Sequence, residues 1–306
     1  MTAFIIKRFL QLIPVALIVS FLAFLMIHLV PGCPVELMFG IEAGRDAIAA
    51  ERERLGLNLP FYHQYWNFIV SAVRGDLGVS VFTNQPVSSE IWMRYPATFR
   101  LALGGTAFAM IVGVIIGIIC AVKRGKFMDG LLSVLSLLAV STPSFFLALV
   151  MLLIFSSWLQ LLPSFGLATP VHYILPITTL GMQSVGQVAR TTRSAMLEVL
   201  NQDYIRTSRS RGIPERVVIY WHALKNALIP VVTLMGLRFG GLLAGSALIE
   251  TVLSINGIGR YMIEAVSRRD FPVVQGTVLV ITLTFVVINT LVDILYAFVD
   301  PRIKYE

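Results

Sequence analysis

Few side chains in the apolar runs of this 306-residue sequence are of types that do chemistry. Ser246, in Gly245-Ser246, could stand as an intramembrane nucleophile. That role needs a His or Lys base within reach, and the only His in an apolar run is His28, at the far end of the first one. Gly240, Gly241, Ala244, Gly245 and Ser246 read better as a surface where helix backbones approach closely in lipid. An ion-driven carrier would bury acids at mid-membrane for its coupling ion. Here Glu250 falls at the end of a run and Asp293 toward the end of the last one. Arg238 lies roughly two to three turns into its run and is the one costly charge. It either pairs with an acid on a neighbouring helix or lines and gates a pore, and Asp293 shares the second possibility. No G-x-x-x-x-G-K-[ST], H-E-x-x-H or C-x-x-C pattern occurs. The chain is expected to hold no cofactor and no metal and to hydrolyse no nucleotide by a P-loop; anything it pumps must be driven by another protein.

Charge concentrates instead in one stretch, QDYIRTSRSRGIPERVVIYWHALKNALIP, from Gln202 to Pro230. Asp203 is placed to cap a helix running to about Arg211, because a carboxylate accepts the free N–H groups of a first turn. Gly212 offers the left-handed stop. Pro214-Glu215 suits the start of a second helix, with a fixed φ and an acid at the positive end of the dipole. That helix puts Val217, Trp221 and Leu224 on one apolar stripe, with Arg216, His222 and Lys225 elsewhere around it. A basic loop lying on anionic lipid needs neither the turn nor the stripe. A nucleic-acid reader tethered at both ends is poorly placed to enter a groove. The third reading is a docking element that offers an apolar stripe and a basic rim to a partner's groove.

The elements that position these residues follow from hydropathy. The chain is 57% hydrophobic and 13% charged, with a mean hydropathy of +0.81, a composition of integral membrane proteins. Runs long enough to cross about 30 Å of hydrocarbon are Phe9–Val30, Leu101–Val122, Leu131–Leu162, Tyr173–Val188, Leu228–Ile249 and Val273–Val299. This predicts an all-α protein with six transmembrane helices. The third run is too long for one straight crossing and carries Ser141-Thr142-Pro143, which predicts a kink or an interfacial start. The fourth, interrupted by Pro176 and Gly181, is the weakest.

Basic residues set the orientation. With the N-terminus inside, Lys7, Arg8, Lys123, Arg124, Lys126, the seven cations from Arg190 to Lys225, Arg302 and Lys304 all lie on the cytoplasmic side. The short loop between the third and fourth runs has none, and the loop after the fifth balances Arg260, Arg268 and Arg269 with Glu250, Glu264 and Asp270. Both termini are therefore expected inside. The net charge of +7 reflects this topology and gives little support for a nucleic-acid partner, membrane lipid being the surface such a chain meets. The first run is longer than a signal-peptide core and no small-x-small site follows it. Cys33 and Cys120 fall on opposite sides and cannot pair.

DYIRTSRSRGIPERVVIYWHALKNALIPVVT resembles the cytoplasmic signature loop of ABC-importer permeases in the dipeptide, oligopeptide, nickel and glutathione group. The match runs through Asp203, Tyr204, Arg206, Thr207, Arg209 and Gly212, then from His222 to Pro230, with Ser208 and Ser210 for the usual alanines. Lys7-Arg8, Pro31-Gly32-Cys33-Pro34, GDLGVS, IETVLSINGIGR, RRDFPVVQG and the closing NTLVDILYAFVDPRIKY resemble the group's other motifs in order. Cys33 replaces the common Asp and Asn256 the usual Pro. The resemblance implies a type I ABC-importer permease fold in the inner membrane. A first helix and outer loop would occupy residues 1–94, the core 95–299 with a coupling hairpin at 201–226, and a cytoplasmic tail 300–306. Asp203, Tyr204, Arg206, Thr207, Arg209, Gly212 and His222 would couple to the ATPase. The implied partners are a homologous second permease, two subunits that carry ATP-Mg, and an extracytoplasmic binding protein. The implied cargo is di- or oligopeptide, with glutathione or nickel chelates as alternatives. A stand-alone channel or ion-coupled carrier is the reading from a different class.

Overall fold

The computed structural model describes residues 2–29, 46, 49–50, 53 and 58–299, with side chains inside them except at 2–9, 26–29, 293 and 295–299. The side chains of His28 and Asp293, Cys33 and the tail 300–306 lie outside the described residues. Helices make up the regular structure of those residues, apart from one isolated bridge between Val79 and Pro86.

Helix α1 is Thr2–Leu29, α2 Phe61–Val73, α3 Val87–Val122, α4 Phe127–Ser141, α5 Ser144–Met151 and α6 Ile174–Leu200. After these come α7 Asp203–Ser210, α8 Leu224–Val252, α9 Ile258–Arg268 and α10 Phe271–Val299. α3 starts well before its apolar run, at the extended Pro86, and its 36 residues span about 54 Å, so it stands clear of a bilayer at one end. The run Leu131–Leu162 is not one crossing. Thr142 and Pro143 break it into α4 and α5, the latter prolonged by a π-helical turn over Leu152–Trp158, and the two parts meet at 106°. Pro143 donates no N–H and crowds the preceding turn, while Thr142 bonds back to the Leu138 carbonyl through both its amide and its hydroxyl.

Among the described residues, three helices are long and apolar enough to cross a membrane: α3, the continuous helix Glu215–Val252 and the described part of α10. The bent α4–α5 pair makes a fourth if taken as one span. α6 falls short on hydropathy for a physical reason. It is wrapped by protein, packing most extensively against α3 and then against α8 and α4. Lipid apolarity is not required of a helix that touches little lipid. The α3–α6 seam depends on bare backbone: a Cβ on Gly113 would sit 2.6 Å from Val188, and one on Gly181 2.6 Å from the Gly105 carbonyl. On the other side of α8, a Cβ at Gly240 would overlap the Phe285 ring of α10. This is the small-residue packing expected of Gly240, whereas Gly241 and Gly245 face open space.

The end remote from the hairpin is held by one carboxylate. Glu250 is fully buried, and its Oε1 accepts the hydroxyls of Thr98 (2.7 Å) on α3 and Ser246 (2.9 Å) on α8. Its Oε2 accepts the backbone N–H of Arg260 at 2.9 Å, in the first turn of α9. Thr98 in turn accepts the Ile258 N–H at 2.9 Å. Three helices therefore share one capped site, and the helix start supplies the donors a buried carboxylate needs. Gly257 has no side chain because a Cβ there would run into the Glu250 carboxyl. Ser246 is fully buried, and its hydroxyl meets the Leu243 carbonyl and Glu250, with neither a His nor a Lys among its hydrogen-bond partners. A second tie joins two loop motifs: Ser80 Oγ donates to Asp270 at 2.6 Å, holding the segment before α3 against the start of α10.

Glu250→Ala strips the cap from two hydroxyls and one amide, each costing about 1–3 kcal/mol when left buried and unpaired. We expect a fall in thermal midpoint of detergent-solubilised protein larger than for Glu264→Ala, whose ion pair to Arg260 is solvent-exposed. Equal midpoints for the two variants would mean that the Glu250 network does not hold this end together.

Candidate functional site

The charged stretch folds as the expected hairpin, set on the opposite end of the bundle from Glu250. α7 ends at Ser210 with Arg211 as its C-cap, and Gly212 follows at φ +74°, the left-handed stop anticipated from its type. Pro214 takes extended backbone and Glu215 opens the second arm. Arg209 grips Glu215 through two hydrogen bonds, Nε at 3.1 Å and Nη2 at 2.7 Å, closing the hairpin across its turn. This partner raises the Arg209 guanidinium above its ordinary pKa. Tyr204 is joined to the base of the second arm, its hydroxyl accepting Asn226 Nδ2 at 2.7 Å.

Two expectations change. Asp203 does not cap α7: it is the first residue of the helix, highly exposed, with Arg206 3.5 Å away, while Gln202 occupies the cap position without a side-chain bond. The acid still sits favourably at the positive helix end. The stripe Val217–Trp221–Leu224 also splits. Residues Val218–Ala223 form a π-helical turn, which takes one more residue per turn than an α-helix and rotates the rest of the arm. Val217 and Trp221 stay exposed, at 42% and 77%, whereas Leu224 packs inward. Tyr220 joins the outward set at 58%.

The inward set was not singled out in the sequence. Ile205, Val218 and Ala223 have no exposed surface, and with Ile219 and Ala227 they pack on Ile118 and Ala121 of α3 and on Ala195 and Met196 of α6. The signal available was Ile205 itself, the only large aliphatic residue in α7. The hairpin is thus clamped to the ends of α3 and α6 by an apolar plug while Tyr220 and Trp221 face outward. Beside it, Arg193 of α6 makes a two-point bridge to Asp129 of α4, both contacts 2.8 Å, and the Gly125 N–H caps the same carboxylate at 3.0 Å. The loop between α3 and α4 is thereby fixed to the same end.

Of the residues expected to couple, Asp203, Tyr204, Arg206, Thr207, Arg209 and Gly212 come together on the exposed surface of the hairpin, and His222 is half-buried in the π turn. Thr207 spends its hydroxyl on the Asp203 carbonyl. Arg238 stands apart: it is on α8, exposed, and among the described residues no acid pairs with it. At the other end, Arg94 lies 4.3 Å over the Tyr261 ring and donates Nε to Asn256 at 3.0 Å. Asn256 thus does a job that a Pro at that position could not do. Burial pushes the Tyr261 hydroxyl up to about 12, so it stays neutral. No cluster of His, Cys, Asp or Glu suited to a metal occurs among the described residues.

Two family models match the sequence. The one described as the N-terminal part of the binding-protein-dependent transport system membrane component covers residues 1–102. The one described as binding-protein-dependent transport system inner membrane component covers residues 113–305. The glutathione transport system permease protein GsiC of Escherichia coli K12 is 43% identical over 306 residues, the whole of both chains. The protein of the same name from Pectobacterium atrosepticum is 45% identical over the same span. Among solved structures, an inward-facing MetNI methionine ABC transporter matches with a TM-score of 0.55 at 19% identity, over 69% of this chain and 96% of that one. An amino acid ABC transporter matches at 0.51 and 17%, over 71% and 95%. At these identities the structural matches speak for the fold alone.

Ile205→Asp puts a charge into the apolar plug and should release α7 from the bundle. Trypsin cleavage at Arg206, Arg209 and Arg211 is expected to accelerate about tenfold as the local opening becomes cheaper. Thr207→Ala, at an exposed position, should leave the cleavage rate unchanged.

Proposed function

The chain belongs to the family of binding-protein-dependent transport system inner membrane components, and from that premise we propose how its parts divide the work of import. It is a permease subunit of an ABC importer. Our reading adds six membrane crossings in the inner membrane, both termini in the cytoplasm, and a second, homologous permease to complete the channel. Two ATP-binding subunits, which carry ATP-Mg, drive transport from the hairpin side, and an extracytoplasmic binding protein delivers cargo at the Glu250 end. Hydrolysis belongs to those ATP-binding subunits, in keeping with a chain that carries no P-loop pattern.

One observation carries the coupling role. The hairpin offers Tyr220 and Trp221 outward while its other face is plugged into α3 and α6. A partner that grips the aromatics therefore moves two core helices with them. Large exposed aromatics beside arginines are the residue types that dominate binding at interfaces. For the cargo, the full-length relatives are named as glutathione permeases, which favours glutathione over di- and oligopeptides in general.

The test is reconstitution in proteoliposomes with the second permease, the ATP-binding subunits and the binding protein. Glutathione uptake is expected only with ATP and all components present. Trp221→Ala should weaken association of the ATP-binding subunits by about 30-fold, the scale of an interface hot spot, and reduce uptake with it. Substrate flux through this chain alone, without ATP, would replace the importer reading with that of a channel or carrier.

A further inference from the structure

We propose that the exposed face shared by α6 and α8 is a charged track on which Arg190 and Arg238 read the carboxylates of an anionic peptide during passage. The proposal rests on the importer reading above and adds to it the charge class of the cargo and the residues that select it.

Arg238 is the first of the two cations. It lies in the apolar helix Glu215–Val252, where an unpaired charge facing lipid is expensive by at least a few kcal/mol. Among the described residues it has no acidic partner and no hydrogen bond, and it is exposed. At 100° per residue, Gly236 lies about 200° round the helix from Arg238, so Arg238 points away from the side that packs on α10. The nearby open positions, Gly241 and Gly245, would meet nothing within 4 Å even with a Cβ. A cation at such a place, with no counter-ion among the described residues, belongs beside water or beside a ligand's negative charge.

α6 supplies the rest of the track. Gln183, Gln187, Thr191, Ser194 and Glu198 recur at helical spacing along one side, with Arg190 among them. Arg190, Thr191, Ser194 and Glu198 border a cleft of about 350 Å³ against Pro230 of α8. Arg190 is exposed and, like Arg238, has no acid within ion-pair distance among the described residues, Glu198 in the same cleft included. Pro230 is eight residues from Arg238, about 12 Å along α8 and about 80° round it, so the two guanidinium groups stand at successive levels along the bundle. Two free cations followed by one acid suit a peptide that carries two carboxylates and one ammonium. Charge-assisted hydrogen bonds to guanidinium are the strongest such a track can make.

The experiment uses the reconstituted importer with saturating binding protein and two probes, glutathione and its glycine-amide analogue, which lacks one carboxylate. Each variant is compared with wild type on both probes, so the binding protein's own preference cancels. Arg238→Gln should lower glutathione uptake about tenfold or more, the scale of one charge-assisted hydrogen bond, while uptake of the amide falls much less. ATP hydrolysis stimulated by the loaded binding protein should stay at the wild-type level. Arg238→Lys should recover most of the loss, and Arg190→Gln should repeat the selective effect. An equal fall on both probes, no fall on either, or a joint loss of stimulated hydrolysis and subunit assembly would overturn the track, the last by making Arg238 a pairing residue for the second permease. The importer reading survives all three. Wild-type uptake that needs no ATP would overturn that reading and this one together.

Discussion

A carboxyl group with no exposed surface needs hydrogen-bond partners supplied by the protein itself. Glu250 meets that requirement by drawing them from three helices: Thr98 on α3, Ser246 on α8 and the first turn of α9. The demand for donors fixes how these helices cross, because none can shift without leaving a buried group unpaired. The local sequence follows from it. Gly257 is bare where a Cβ would strike the carboxyl, and Gly259 is bare where one would strike the Ala247 backbone. With Ser80 bound to Asp270, the whole end becomes one stiff piece into which α10 is also tied.

The hairpin end is stiffened by different physics. There the anchor is apolar, with Ile205, Val218 and Ala223 driven between the ends of α3 and α6, and the polar contacts sit around it. The Arg209–Glu215 pair is exposed, so it sets the geometry of the turn more than it adds stability. The Arg193–Asp129 bridge is better shielded on the acid's side. Between the two ends, close approach of α3 to α6 and of α8 to α10 at glycines leaves little room for bending. The hairpin is therefore joined to α3 and α6 through packed side chains, the connection that the proposed coupling role requires.

Much of this was legible in the sequence, and the rest fails to show for identifiable reasons. Gly212, Pro214 and the apolar runs announce themselves because backbone geometry and hydrocarbon thickness leave few choices at those positions. The break at Pro143 was also readable, though its angle of 106° was not, since proline removes a hydrogen bond without dictating where the chain goes next. The Trp221 stripe was half right: a regular period of 3.6 cannot anticipate a π turn, whose extra residue sends Leu224 inward. Glu250 read as a charge at the end of a run because its partners Thr98 and Arg260 are brought to it only by the fold. α6 read as a weak span because hydropathy measures affinity for lipid, and α6 is solvated chiefly by other helices.

That last point separates two kinds of polarity within one membrane-embedded chain. The polar groups at Glu250, Asp129 and Asp270 are enclosed and satisfied by the protein itself, and they hold helices together. Arg190 on α6 and Arg238 on α8 are instead exposed, with no acid within ion-pair distance among the described residues. Enclosed polarity fixes structure; open polarity in an apolar setting has to be answered by water, a partner or cargo. On the importer reading proposed above, an arginine open on one face gives selection a place to act inside the membrane as well as at the binding protein.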